Sequence, residues 1–186
     1  MHLHHAIIVT IASSSVLGAP LEARSDSYFT PSVTWRYNVG TGAISGTSTG
    51  LIAKSNTNGG QDTTALVTFV YPAGVAGKRC QFAFYLNDGA ALAGSRKIDL
   101  FTVNDPAPGP RAGWGPGNQR DIQLGRLSAV KPGLATWDAT YSSYLTQSTE
   151  CKPPGTTEAF ELAGVYDKDF ISWDLAVAGP RIFYSY

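Results

Sequence analysis

The sequence predicts an all-β fold, an antiparallel β-sandwich of jelly-roll type with about eight to ten strands and one disulfide. Segments in which apolar and polar residues alternate recur from residue 32 onward, and helical periodicity is almost absent. The 20 Gly and 11 Pro divide the chain into short stretches. At 186 residues, 43% of them hydrophobic, the chain can fill one core. We therefore predict a single sandwich domain over residues 32–186.

The first predicted strand, residues 33–39, alternates apolar and polar side chains as a half-buried strand requires. A Gly/Thr/Ser-rich stretch then leads to a short strand at 51–53. Residues 63–71 are rich in β-branched and aromatic side chains and stop at a proline. In the strand at 80–86 every second residue is apolar, which predicts a core face. The strand at 97–103 follows a turn signal and carries paired apolar residues on one side.

The stretch 104–119 is rich in Pro and Gly and predicts a long surface loop. Further strands are predicted at 122–127, 134–137, 159–162, 170–175 and 181–184. Tyr141, Tyr144 and Leu145 have the spacing of one or two helical turns. The tryptophans on strand-like segments are expected to pack in the core: Trp35, Trp137 and Trp173.

The first 18 residues predict a signal peptide, with an apolar stretch followed by small residues and cleavage after Gly18. Residues 19–31 then form an N-terminal extension or a short pro-segment, which a protease could trim after Arg24. No later segment approaches about 18 apolar residues without charge, the length of a membrane span. The expected product is a secreted, soluble protein that is extracellular or associated with a cell wall.

All three histidines, His2, His4 and His5, lie within this predicted leader. The mature chain would therefore lack any Ser-His-Asp site, Cys-His site or His-ligated zinc site. We expect no metal and no cofactor. An enzyme built from this chain would have to use paired carboxylates.

The charges balance, with 14 Lys and Arg against 14 Asp and Glu. Such a chain has no electrostatic means of gripping a nucleic acid or an anionic membrane. It also has no glycine loop that opens a helix and could cradle a phosphate. Nucleic acids, membranes and nucleotides are therefore excluded as expected partners.

Cys80 and Cys151 are predicted to form a disulfide, because the chain is expected to enter an oxidising compartment. The loop-entropy estimate for this separation is about 4 kcal/mol of stabilisation. A reactive thiol is the alternative interpretation.

The predicted loop contains the candidate binding residues. Trp114 lies among Gly and Pro and is flanked by Arg111, Asn118, Gln119 and Arg120. An exposed indole can cover the apolar face of a sugar ring while amide and guanidinium groups bind its hydroxyls. In the alternative, Trp114 folds inward and pins the loop onto the sandwich, which the usual burial of large aromatic side chains favours.

Acidic residues gather near the C-terminal strands. Paired carboxylates held about 5–10 Å apart can hydrolyse glycosides, and clustered ones can bind Ca²⁺. The segment 167–169 is first interpreted as a solvated turn, because no calcium-loop pattern is present. The residues concerned are Glu158, Glu161, Asp167, Asp169 and Asp174.

Several segments together resemble a known family. They are CQFAFYL at 80–86, IDLF at 98–101, ECKPPG at 150–155, AFEL at 159–162, FISWD at 170–174 and GPRIFY at 179–184. Residues 64–186 are similar to fungal secreted domains described as the C-terminal domain of the ubiquitin-3-binding protein But-two. The resemblance implies a compact β-sandwich with one disulfide and no established catalytic residue. The intracellular partner that the family name implies would be separated from a secreted chain, and the loop at 104–119 has no counterpart in the family pattern.

The leading hypothesis is a secreted, non-catalytic fungal β-sandwich that binds a glycan or an extracellular protein at the cell wall or at a host surface. A carboxylate-dependent polysaccharide hydrolase is the first alternative. A secreted effector that acts on a host protein is the second.

Overall fold

The computed structural model describes residues 27–115 and 120–186, which form antiparallel sheets arranged as a curled sandwich. The all-β class and the sandwich architecture are confirmed. The predicted leader, its cleavage site after Gly18 and the trimming site at Arg24 lie outside the described residues.

The described residues contain fifteen strands, more than the sequence predicts, because five of them have only two to four residues and show too little alternation to be recognised. In chain order they are β1 (Ser27–Phe29), β2 (Val33–Asn38), β3 (Ile44–Gly46), β4 (Thr49–Ser55), β5 (Thr63–Val70), β6 (Arg79–Leu86), β7 (Ala91–Gly94), β8 (Lys97–Val103), β9 (Arg120–Ser128), β10 (Gly133–Leu134), β11 (Thr136–Thr140), β12 (Thr149–Glu150), β13 (Thr157–Gly164), β14 (Lys168–Asp174) and β15 (Gly179–Ser185). One 3₁₀ turn spans Ala73–Val75.

A five-stranded sheet has the order β1-β15-β6-β10, with β12 also paired to β6. A ten-stranded sheet has the order β11-β9-β8-β13-β5-β4-β14-β7, and β2 joins it by pairing with β5 and β3. The first and last strands are neighbours, with Ser27 opposite Tyr184. The sandwich thus includes Ser27–Phe29, which the sequence analysis assigns to the N-terminal extension because three residues show no periodicity.

The core lies between the sheets. On β6 the residues Cys80, Phe82, Phe84 and Leu86 are all buried, as the alternation predicts. The ring of Phe82 meets that of Phe160 at 5.8 Å from the next sheet. Aromatic pairs at such distances add to the stabilisation that burial provides.

Two of the three strand tryptophans belong to the core. Trp173 is fully buried and lies between two glycines, Gly50 and Gly179, where an added Cβ would overlap its indole. Trp137 packs at the edge of the core. Trp35 is different: it pairs with Leu66 on the opposite face of its sheet and is only partly buried.

The predicted disulfide is present between Cys80 and Cys151. It links β6 to the segment that follows β12. The predicted helical turns at 141–145 are reduced to one hydrogen-bonded turn, in which the Gln147 amide donates to the Ser143 carbonyl at 3.3 Å. Leu145 has a φ of 57°, which is incompatible with continuing a right-handed helix. Within residues 27–115 and 120–186, no helix has the length and apolar character needed to cross a membrane.

Candidate functional site

The ten-stranded sheet has one face toward the core and a second face, here called the outer face, turned away from it. Residues directly opposite each other on neighbouring strands share a face. Tyr37 is opposite Thr64, and Glu161 is opposite both Leu66 and Phe101. Strands β2, β5, β13 and β8 therefore place these five side chains side by side on the outer face.

The predicted loop reaches across this face. Arg111 and Ile44 exchange both backbone hydrogen bonds, each of 2.9 Å, at the start of β3. A loop that leaves β8 has to pass β13 and β5 to reach that point. Leu66 and Glu161 are 2% and 1% exposed although they face away from the core. Arg120 and Thr64 cover the Glu161 carboxylate, and Trp35 lies opposite Leu66 on the same face.

Trp114 is presented to solvent at the far end of this crossing. Its side chain is 69% exposed. The Tyr37 ring contacts it edge-on, with centroids 6.4 Å apart. Gly42 lies beneath it: its φ is 74° and an added Cβ would lie 2.6 Å from the indole. The inward orientation considered as the alternative is therefore not the one adopted.

The other predicted binding residues have different positions. Arg111 is half-buried, and its guanidinium lies against Gly115, 2.9 Å from where a Cβ would be. Asn118 and Gln119 lie outside the described residues. The structure thus places Trp114 and Arg111 on the same crossing segment, with Arg111 joined to β3 through its backbone.

Arg120 is committed to a partner on the outer face. Its Nε and Nη2 donate to the Glu161 carboxylate at 2.7 and 2.9 Å. The Thr64 hydroxyl donates to the same carboxylate at 2.6 Å, and the guanidinium lies 4.7 Å from the centre of the Phe101 ring. Burial lowers the pKa of Arg120, but its hydrogen bonds to Glu161 outweigh burial and the net shift is upward. Arg120 therefore stays charged and orders the site.

Beside Arg120 the outer face opens into a cleft of about 140 Å³, here called the polar cleft. Lys54 and Asp62 form an ion pair of 2.9 Å on one side. On the other side Arg126 binds Asp99 through two hydrogen bonds of 2.7 and 2.9 Å. The lining residues are Val39, Ala53, Lys54, Asp62, Thr63, Thr64, Asp99, Phe101, Arg120, Ala163 and Gly164.

The charges of the polar cleft are fixed by these contacts. Burial raises the pKa of Asp62, but hydrogen bonds from Asn58, Lys54 and the Ser55 amide outweigh it, so the pKa lies below its usual value. Hydrogen bonds to Asp99 hold the pKa of the Arg126 guanidinium above its usual value. The cleft therefore presents alternating donors and acceptors with no large net charge. Such groups match the hydroxyls of a sugar.

The C-terminal carboxylates that could have formed a hydrolytic pair are not brought together. Glu158 and Glu161 are three positions apart on β13, so their side chains point to opposite faces. Glu158 accepts hydrogen bonds from Tyr71 and Tyr144 at 2.7 and 2.8 Å on the core side. Lys152 adds an ion pair of 2.8 Å. These contacts join the core side of β13 to the segment next to the disulfide.

The interpretation of 167–169 as a solvated turn is wrong for Asp169: Asp167 and Lys168 are exposed, but Asp169 lies in β14 and is buried. Asp169 is 1% exposed and accepts hydrogen bonds from the Arg96 and Val165 amides. Desolvation raises its pKa. Asp174 accepts the Ala176 amide at 2.9 Å. In the part of the chain that the structure describes, no group of three or more His, Cys, Asp or Glu could hold a metal ion.

A larger cavity, of about 380 Å³, lies at the end of the sandwich beside Trp35 and Trp173. Its volume falls within the range of about 300–1,000 Å³ typical of small-molecule pockets. The indole nitrogens of both tryptophans are sealed from solvent without a partner among the described residues. Trp173 offers no exposed ring face, and no charged side chain lines the cavity. The polar cleft beside Trp114 is the stronger candidate for recognising a polar ligand.

The sequence analysis missed the cleft because its charged residues come from separate strands. The available signal was the charge itself: Lys54 and Asp99 interrupt segments that otherwise indicate strands. Charged residues within such segments indicate a polar surface on the sheet.

Comparison with known proteins identifies no relative: no protein-family model matches the chain, and no curated protein matches it. The resemblance to the But-two C-terminal domain stays a prediction. Fold and site define the class, a disulfide-linked β-sandwich with an exposed tryptophan beside a polar cleft.

Proposed function

We propose that this protein is a secreted, non-catalytic binding module that holds a glycan on the outer face of its ten-stranded sheet. The observation that carries the proposal is the exposed indole of Trp114, held in place beside a cleft of paired charges. In this proposal the predicted leader delivers the protein to the cell wall or a host surface. The glycan is the ligand that the geometry favours over an extracellular protein.

Trp114 supplies a pre-formed stacking platform. Tyr37 supports its edge and Gly42 its underside, so little side-chain freedom remains to be lost on binding. The apolar face of a pyranose stacks on such an indole. A platform that is already ordered favours binding even when the contact area is small.

Tyr37 connects this platform to the polar cleft. Tyr37 contacts Trp114, lies opposite Thr64 at the cleft wall and interacts electrostatically with Arg120. A sugar stacked on Trp114 could therefore extend its neighbouring residue toward Lys54 and Asp62. A cleft of about 140 Å³ is smaller than a typical drug pocket. We expect a Kd between about 10 µM and 1 mM for a short oligosaccharide.

The cleft chemistry gives no support to the hydrolase hypothesis. Glycoside hydrolysis requires one carboxylic acid that can donate a proton to the leaving oxygen. Asp62 and Asp99 in the polar cleft, and Glu161 beside it, each pair with a cation at ion-pair distance. These contacts occupy the carboxylate oxygens that would have to carry the transferred proton. The arrangement suits binding of hydroxyl groups and not proton donation.

The experiment is a screen of neutral oligosaccharides followed by titration calorimetry with the best of them. Trp114→Ala should weaken binding at least tenfold. Tyr141→Ala is the matched control, because this tyrosine is 60% exposed. It follows β11, which is separated from β2 by β9, β8, β13 and β5 in the ten-stranded sheet. Equal affinity of the Trp114→Ala variant and the wild type, with both variants folded by circular dichroism, would contradict the proposed site. Absence of any neutral ligand would contradict the proposed function.

A further inference from the structure

The five-stranded sheet also has a face turned away from the core, and it contains a buried arginine. Arg181 on β15 is 8% exposed. Its guanidinium lies 4.5 Å from the ring centres of both Tyr28 and Tyr85, on the two flanking strands. Tyr28 itself is 48% exposed and contacts Phe183 edge-on. The cation is thus held between aromatic rings close to the surface.

Arg181 has no anionic partner within residues 27–115 and 120–186. It makes neither a hydrogen bond nor an ion pair there, and its Nε is sealed without a partner. Desolvation lowers the pKa of Arg181, with the two tyrosines acting in the opposite direction. A cation removed from water without a counter-charge is costly. Its Nη atoms are not among the sealed, partnerless atoms, so they keep access to solvent.

Further donors lie near Arg181. Ala83 is opposite Arg181 on β6. Two positions along the same strands, Gln81 is opposite Phe183. A depression of about 150 Å³ begins there and is lined by Arg79, Cys80, Gln81, Ser148, Phe183, Tyr184 and Ser185.

This face carries two guanidinium groups and one carboxylate. Arg79 donates to Ser148 and remains exposed. Glu150 is opposite Arg79 in the strand register and therefore shares its face, although no ion pair joins them. A ligand that bridges from Arg181 into the depression would meet the two guanidinium groups, an amide, hydroxyls and an aromatic ring, with Glu150 at the far end beside Arg79.

We propose that this face, centred on Arg181, Tyr28 and Tyr85, binds the carboxylate of an acidic sugar residue, a uronate. The planar guanidinium matches a carboxylate in a two-bond geometry. The exposed ring of Tyr28 covers the sugar, while Gln81 and the hydroxyls of the depression bind its hydroxyl groups. This second site lies on the other sheet from Trp114 and does not depend on the glycan site proposed there.

The test compares a short oligogalacturonate with its methyl ester by titration calorimetry at low and high salt. The acid should bind and the ester at least tenfold more weakly, and binding should weaken as salt rises. Arg181→Met should abolish or reduce binding of the acid at least tenfold. Because methionine fills the space between the rings without charge, this variant should fold with unchanged or raised stability.

Two results would overturn the proposal. One is equal binding of acid and ester, or of wild type and Arg181→Met. The other is no detectable binding of the acid at low salt, together with a large loss of stability in Arg181→Met, which a purely structural stacking role predicts. Trp114→Ala is the matched control and should bind the acid as the wild type does. If the Trp114 site binds no neutral glycan, the acid and the ester can still be compared at the Arg181 site, so the two proposals can fail separately.

Discussion

The ion pair between Arg120 and Glu161 should be required for the outer face to hold its shape. Glu161 is 1% exposed and receives three hydrogen bonds, two of them from Arg120. Arg120→Met keeps an apolar stem over Phe101 but removes the charge. The carboxylate then stays buried with Thr64 as its remaining partner.

The size of the effect follows from burial on both sides of the pair. Breaking a fully buried ion pair costs about 3–5 kcal/mol, and exposed pairs are worth about 1 kcal/mol or less. The side chain of Arg120 is 42% exposed and that of Glu161 is 2% exposed. We therefore expect a loss of about 2–3 kcal/mol for Arg120→Met. Glu161→Gln should cost about 1–2 kcal/mol, because an amide cannot accept both guanidinium bonds.

Urea unfolding of the two single variants and the double variant measures this coupling. The double variant should be less destabilised than the sum of the singles by about 1 kcal/mol or more. Additive effects, or an Arg120→Met variant within about 0.5 kcal/mol of the wild type at neutral pH, would refute the reasoning.

Further predictions concern the disulfide, the core and the cleft. Replacing Cys80 and Cys151 with alanine should lower the free energy of unfolding by about 4 kcal/mol for a separation of 71 residues. The matched sample is the wild type with its disulfide reduced, unfolded in urea. A urea midpoint equal to that of the oxidised wild type would contradict this prediction. Gly179→Ala should cost about 3 kcal/mol or more, because its φ is 108° and the new Cβ would overlap Trp173; a thermal midpoint equal to that of the wild type would disprove the close contact. Asp62→Asn should destabilise the protein above pH 3.8, the ordinary carboxyl value, because the lowered pKa stabilises the folded state there. That contribution to stability is lost as pH falls through the folded-state pKa of Asp62. A difference in unfolding free energy between the variant and the wild type that stays unchanged in acid would contradict the prediction.

Strand positions could be predicted from the sequence because alternation is a local property. On β6, Phe82 and Phe84 fall on the core face in the sequence pattern and in the structure alike. The shortest strands, such as β12 with Thr149–Glu150, could not be predicted, because a two-residue strand depends on its neighbour in the sheet and shows no alternation of its own. The i, i+3, i+4 spacing that begins at Tyr141 does not produce a helix, because Leu145 has a φ of 57°.

The candidate site could be predicted only in part. The composition around Trp114 indicates a surface loop, but the usual burial of large aromatic side chains favours an inward Trp114, and the structure shows it 69% exposed. The pairing of Arg120 with Glu161 depends on the register of β8, β9 and β13, which alternation does not reveal. One signal was available: the run 65–69 is almost continuously apolar, which is typical of a strand buried on both faces. That pattern predicts that other residues of the chain bury the outer face of β5.

The adjacency of β1 and β15 decides how the molecule would respond to mechanical force. Ser27 and Tyr184 are paired at one end of these antiparallel strands, so tension on the two chain ends would break the inter-strand bonds one after another. Unzipping of this kind offers little resistance. The bond between Cys80 and Cys151 would then keep the chain between them from being pulled straight. Tyr37 and Gly42, which support Trp114, lie outside that closed loop, so a pulled molecule would lose its binding platform before the loop opens.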